Sequence, residues 1–448
     1  MNDSRQRPVI QNRILLLLLA LTLIRGLIYA SVTIPWWMGH DEDFHFAQVK
    51  VMIDQWLTSS IHQSQNWPQE MMATFAAFPN GRWSQGVESQ VNITHIPDRY
   101  TDFVRPALSY YPYAWLGIFL TRQDLLSQLF ALRIVSVLMM SGTVLIAFMS
   151  AKKIFSDSLI AQILVPWLII FNPSFMITSS TISNANLAIL LSTLIFYLLL
   201  SDIARERIGW QSLLAPGLTI MAFQAKRTTY FLLVVWGLLL LVYVWKFGKK
   251  YWLWIGITGG MFIGLLSFFS PTTLVVIAYY LRLGVSVKGL LYVFSPEYFW
   301  YTFSFFWIML GWSVYPLAKI WYVILLFFML LVVAGLFLYG WRHFKKNGLV
   351  LDIEQKMLLL SLLFGGISIA GLVGHGILRY EELEGRSARY IFPAIVPLSI
   401  LMTCGWRALL PTTWREVGLI FLIITFLLFD TMVWLMYAIP WYYPFWPQ

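Results

Sequence analysis

The stretch VILLFFMLLVVAGLFLYGW, residues 323–341, decides the fold class: nineteen consecutive residues without a charge. A helix needs roughly 20 such residues to cross the hydrocarbon core of a bilayer. A second run, ILLLLLALTLI at 14–24, has the same character. The whole chain of 448 residues is 59% hydrophobic and only 12% charged, about half the charged share of a soluble domain. These numbers exclude an ordinary soluble enzyme and point to an all-α polytopic membrane protein.

Hydropathy divides the chain into about 11 spans, near 14–34, 129–150, 158–177, 185–201, 212–225, 228–245, 251–270, 319–341, 357–377, 389–406 and 417–438. No small-x-small cleavage site precedes Pro35, so the first span is expected to be retained as a helix. The fifth and sixth are short and joined at Lys226 and Arg227. Two long segments interrupt the spans, 35–128 and 271–318, and the chain reads as one transmembrane domain over 1–448. Within the first segment, RPALSYYPYAWLGIFL (105–120) is apolar but short and broken by proline, which suits an interfacial helix.

The net charge of +10 sets topology here rather than recruiting nucleic acid. With the N-terminus inside, each inside segment carries at least two basic residues: Arg5, Arg7 and Arg13; Lys152 and Lys153; Arg205 and Arg207; Lys246, Lys249 and Lys250; Arg342, Lys345, Lys346 and Lys356; Arg407 and Arg415. The two long segments and LRYEELEGRSARY (378–390) then share the outer face. The tryptophan- and tyrosine-rich segments at 294–316 and 441–448 read as an aromatic belt at headgroup level, or as a surface that meets a lipid or a sugar ring. Cys404 is the single cysteine, so no intrachain disulfide is possible.

Directly after the first span comes HDEDFH, residues 40–45. Asp41 or Asp43 suits the cap of a following helix. Phe46, Val49, Ile53 and Trp56 recur at helical spacing, as in an amphipathic helix lying on the membrane. Capping accounts for one acid, not for three carboxylates whose mutual repulsion requires positive charge nearby. HExxH zinc chemistry fails, because His40 and His45 are five apart, and a di-iron bundle lacks its second Glu-x-x-His pair. Two chemistries remain open: a divalent cation, Mg or Mn, held by Asp41 and Glu42, or a carboxylate acting as general base.

An anion bound on this face would need cations. Arg386 and Arg389 stand where an outer loop enters a span, and Lys226 and Arg227 at the tip of the short hairpin; arginine binds phosphate bidentately and lysine as a point charge. Snorkelling to the interface is the plain alternative for each. Arg25 and Arg133 lie inside expected spans, where a charge is costly and usually partnered, either by an acid or by a lipid phosphate. Asn184 and Asn186 open a span and suit a cap; His375 among glycines suits a core histidine.

Asp41, Glu42, His45 and Phe46 after the first span, the segment RPALSYYPYAW, and Arg389, Tyr390 and Pro393 at a late span entry together resemble the GT-C superfamily of integral-membrane glycosyltransferases, and within it the bacterial relatives of protein O-mannosyltransferases. Where that family often has glycine before the arginine–tyrosine pair, this chain has Ala388, with Gly385 upstream. The resemblance implies a polyprenyl-phosphate sugar donor, an acceptor on the extracytoplasmic face of a bacterial cytoplasmic membrane, and inverting transfer. It implies Asp41 as base or metal ligand, with Glu42 and His45 orienting groups beside it. Arg389, Arg386, Lys226 and Arg227 would hold the donor phosphate. The acceptor class, whether glycan, lipid or protein, stays open. A transporter or flippase of a lipid-linked anion is the alternative, and so is a non-catalytic subunit of an envelope-polymer assembly.

Overall fold

A computed structural model describes residues 3–35, 39, 41–58, 70–71, 108–206, 214–247, 259, 287–310, 315–378 and 387–443. Its helices in chain order are α1 (Asp3–Ile28), α2 (Glu42–Thr58), α3 (Tyr111–Phe119), α4 (Leu125–Ile154), α5 (Leu159–Ile170), α6 (Pro173–Ser180), α7 (Ala185–Arg205), α8 (Leu214–Ala225), α9 (Phe231–Phe247), α10 (Val287–Val293), α11 (Pro296–Trp307), α12 (Lys319–Asn347), α13 (Ile353–Leu378), α14 (Ile395–Leu409) and α15 (Arg415–Val433). Met309–Leu310 and Tyr315–Pro316 form a short antiparallel pair.

Among the described residues, seven helices are long and apolar enough to cross a membrane, those containing α1, α4, α7, α12, α13, α14 and α15. Each coincides with an expected span. The expected span at 158–177 is instead two helices, α5 and α6, bent by 62°. Asn172 causes the break: it ends α5, and its side chain accepts the Phe175 N–H at 2.9 Å to start α6, with Pro173 at the first position. The hairpin of α8 and α9 is shorter than a full crossing over its described apolar part, Leu214–Ala225 and Arg227–Leu239. The expected span at 251–270 apart from residue 259, and the segments 72–107 and 271–286, lie outside the described residues. This is an integral membrane protein of helices.

The basic residues of the last turns cluster at one end of the bundle. Lys152 and Lys153 close α4, Arg205 closes α7, Lys345 and Lys346 close α12 and Arg407 closes α14, where cations complement the helix dipole. Here Arg407 forks onto Asp157, and Lys356 Nζ meets Glu206 at 2.9 Å. The residues expected to bear chemistry sit at the opposite end, where α2 and α3 join the bundle.

The α2 helix corrects one expectation. Phe46, Val49 and Ile53 are buried, but so are Gln48 and Lys50 on other faces. It is not a surface helix: it is enclosed in a second apolar core made with Tyr113 and Ala114 of α3, Leu129 and Leu132 of α4, and Ile182. Gly117 of α3 gives it room, since a Cβ there would lie 2.4 Å from Ile53 Cδ1. The outer face of α3 is left exposed at Trp115 and Phe119, consistent with an apolar surface meeting lipid.

The backbones of α12 and α14 approach closely, for a Cβ on Gly335 would collide with the Gly405 carbonyl oxygen. Small residues let membrane helices touch in this way. Gly335→Ala is therefore expected to cost about 1–3 kcal/mol through overpacking, read as a lower melting temperature and loss of monodisperse elution in detergent. Gly340→Ala on the same helix, where nothing lies within 4 Å, is expected to be neutral.

Candidate functional site

The two adjacent carboxylates Asp41 and Glu42 reach two different arginines. Glu42 points inward. Its Oε2 accepts from Arg133 Nη2 at 2.5 Å and its Oε1 from Arg133 Nε at 2.7 Å, and both side chains are fully buried. The rest of the guanidinium is also used: Nη1 donates to the Ala30 and Ile34 carbonyls at 2.6 and 2.7 Å, and Nη2 to Pro35 at 2.9 Å. All five donors that an arginine possesses are thus engaged. Three of them cap carbonyls at the C-terminal end of the first span, which a cation favours, while the acid lies in the first turn of α2, where a negative charge is favoured.

Glu42 Oε1 further accepts the Ile182 backbone N–H at 3.1 Å. Ile182 belongs to the non-helical link between α6 and α7, and irregular backbone at this depth requires buried partners. The link finds them in Ser136, which donates to the Thr181 carbonyl at 2.7 Å, and Asn186, whose amide donates to Thr181 at 2.9 Å and to the Tyr113 hydroxyl at 3.0 Å. Asn186 is thus more than a cap. Gly39 presses against the same link, for a Cβ there would be 2.7 Å from Thr181 Cβ.

Asp41 faces the other way. Its Oδ2 accepts from Arg389 Nη2 at 2.6 Å, with the aspartate side chain 41% exposed and the arginine 13%. Asp41 has φ 54°, in the left-handed region, although its carbonyl already accepts the His45 N–H as the first bond of α2. Aspartate tolerates this conformation better than most residues, but a non-glycine held there costs on the order of 1–3 kcal/mol, and such strain recurs at functional sites.

Around this pair stand the other expected residues. Tyr390 presents its ring to Arg389 and to Lys226, with the guanidinium carbon 5.8 Å and the ammonium 5.3 Å from its centroid. His375 packs edge-on against the same ring at 5.2 Å. One turn into α2, His45 Nδ1 is 2.7 Å from the Tyr110 hydroxyl. Burial pushes the imidazole down to about 3, against an opposing pull from Asp41 and with help from Lys226 and Arg389. His45 is therefore neutral near pH 7 and serves as a hydrogen-bonding group rather than a charge.

The structure thus brings Asp41, His45, Lys226 and Arg389 together. It does not bring Glu42 with them, whose carboxylate is consumed by Arg133 and Ile182; Arg227 is exposed, and Arg386 and His40 lie outside the described residues. A cation held by Asp41 and Glu42 does not fit this geometry. Among the described residues, no group of three or more His, Cys, Asp or Glu forms a metal site. Two features go beyond the sequence reading. Tyr390 and Tyr110, which stood there only as parts of the quoted motifs, join the cluster as contacts of the cations and of His45. Asp430, inside the last span, accepts from Arg25 Nη2 at 2.5 Å and from Tyr29 at 3.2 Å; the signal was an acid and an arginine each alone within a span.

A family model described as "Predicted membrane protein (DUF2142)" matches residues 24–398. The chain belongs to the DUF2142 family. The matched region takes in both arginine–carboxylate pairs of this site, so the cluster lies within the part that defines a DUF2142 protein. Comparisons with curated proteins and with solved structures return no match.

Two outcomes test the site's architecture. Arg133→Met leaves Glu42 buried without its cation, and breaking a buried pair from one side typically costs about 3–5 kcal/mol; the double variant Arg133→Met/Glu42→Gln should recover part of that loss in a melting assay. Separately, the unfolded chain takes up a proton on His45 near pH 6.5 and the folded chain only near pH 3. Stability from this group is complete above pH 6.5 and falls as pH drops towards 3. His45→Asn should flatten that acid limb of the melting temperature.

Proposed function

We propose that this protein is a glycosyltransferase of the extracytoplasmic face, taking a sugar from a polyprenyl-phosphate donor. The observation that supports this reading most is the Asp41–Arg389 pair: a strained, partly exposed carboxylate at a membrane boundary, beside two cations. Arg389 and Lys226 would grip the donor phosphate, and Asp41 would accept the proton of the acceptor hydroxyl. The acceptor oxygen then bonds to the anomeric carbon as the carbon–oxygen bond to phosphate breaks. The electron pair leaves on the phosphate oxygen, where the two cations stabilise it. The proton ends on Asp41 and passes to water. Inversion follows from a base opposite the leaving group. His45, neutral and fixed on Tyr110, would orient the groups beside Asp41. A donor with a long lipid tail requires an enzyme within the bilayer, and the exposed Trp115 and Phe119 of α3, Phe294, and Phe299 of α11 offer such a tail an apolar surface.

The alternative of a lipid-anion transporter drew its appeal from two arginines inside spans, as cations for a passing substrate. Both have carboxylate partners within the protein, Glu42 for Arg133 and Asp430 for Arg25. That weighs towards a catalytic site at the surface rather than a path through the bundle.

The test is a transfer assay with the nanodisc-reconstituted protein, polyprenyl-phosphate sugars and mass spectrometry of donor and products. Asp41→Asn is expected to lose at least about 100-fold in rate, the scale of a general base, and to retain the fold because asparagine also tolerates positive φ. Full activity in Asp41→Asn would end the assignment of the base. A panel of donors left unconsumed by the wild type would end the reading as a whole.

A further inference from the structure

The two arginine–carboxylate pairs of this site differ in completeness. Arg133 gives every N–H it has, forks onto Glu42 with two nitrogens and is sealed from solvent. Arg389 gives Asp41 only Nη2, while its Nε is buried without a hydrogen-bond partner among the described residues. Nε and Nη2 are the two nitrogens that make a bidentate fork, and phosphate oxygens fill such a fork better than one carboxylate oxygen does. Lys226 meets the same Tyr390 ring at a similar distance, so a second cation stands against the residue next to Arg389. The two partners differ in exposure as well: the Arg389 side chain, at the entry to its span, is 13% exposed and that of Asp41 is 41% exposed.

We propose that the Asp41–Arg389 pair is a latch opened by the substrate: a phosphate group takes the Nε and Nη2 fork of Arg389 and displaces the Asp41 carboxylate. An aspartate held by an arginine is a poor base, because the cation stabilises its charged form. Once displaced, the carboxylate regains its ordinary proton affinity at the moment the donor is seated. The base is thereby silent without donor and competent with it. Only this last consequence rests on the glycosyl-transfer reading; displacement itself requires only a phosphate.

The latch makes an unusual prediction, that removing an acidic residue near an anion site by the isosteric Asp41→Asn tightens binding through loss of an internal competitor rather than through any new contact. The full chain, in nanodiscs of neutral lipid, is titrated by calorimetry with a short-chain polyprenyl phosphate that carries no sugar, and with inorganic phosphate. Asp41→Asn is expected to bind the lipid phosphate about 3- to 10-fold more tightly, the scale of a partly exposed ion pair. Arg389→Gln is expected to bind at least about 10-fold more weakly, the scale of hydrogen bonds to a charged group. Asp41→Gly, which also suits the positive φ, serves as the second variant. The same rank order with inorganic phosphate assigns recognition to the phosphate alone; the order seen only with the lipid assigns it to the lipid-linked form. If bilayer headgroups are the ligand, the advantage of Asp41→Asn disappears in nanodiscs of anionic phospholipid and the latch is a headgroup site. If neither Asp41 variant binds either probe more tightly than wild type in neutral nanodiscs, the latch is overturned. The probe carries no sugar, so the two readings fail separately. Tighter binding in a protein that transfers nothing ends glycosyl transfer and keeps the latch. Transfer without tighter binding ends the latch alone.

Discussion

The buried guanidinium of Arg133 organises the outer end of this protein. It collects the last carbonyls of the first span, the glutamate that opens α2 and, through that glutamate, the backbone of the break between α6 and α7. A buried charge of this kind is costly unless its partners are complete, because desolvating two ions costs several kcal/mol each. Here they are complete. Three chain segments that are each unable to satisfy their own polar groups at this depth are held in one arrangement by a side chain from a fourth. The chain reversal between α1 and α2 therefore has a defined path, and the residue next to Glu42 has a defined place.

That residue is Asp41, and its backbone shows the effect of being placed. With Glu42 fixed on Arg133 and the Asp41 carbonyl fixed as the first acceptor of α2, Asp41 is left at φ 54°. Its side chain leaves the core and meets Arg389 from a helix almost 350 residues later in the chain. Neighbouring acids thus divide the work: one anchors inside the core and the other pairs at a partly exposed position. The intramembrane pair of Arg25 and Asp430 extends the same logic to the first and last spans, which are further joined where Trp434 Nε1 donates to Thr33 at 2.8 Å.

Much of the fold is visible in the chain itself. Hydropathy places seven crossing helices to within a few residues, since a bilayer imposes a length on each apolar run. The basic residues assigned to one face by charge bias do lie together at one end, from Lys153 to Arg407. The bend at Asn172 was less legible: an Asn-Pro pair inside an apolar run is a break signal, but only the neighbours of Thr181 and Ile182 make such a break tolerable. The burial of α2 was not legible at all. Its apolar positions follow one face, and the polar Gln48 and Lys50 look solvated, yet both are buried and the Lys50 ammonium donates to Gln128 at 3.1 Å.

For the site, the sequence by itself determined which residue types stand at the membrane boundary and that acids and cations share an end of the bundle. Those facts are local, carried by composition, by spacing and by the charge bias of short loops. Only the tertiary structure decided which acid meets which arginine. Asp41 and Glu42 are adjacent in sequence and equal in formal charge, so no pattern distinguishes them. They are distinguished by direction: one step along the backbone at the start of a helix turns the side chain from the apolar interior, where a carboxylate must be fully paired, to the surface, where it need be paired only in part.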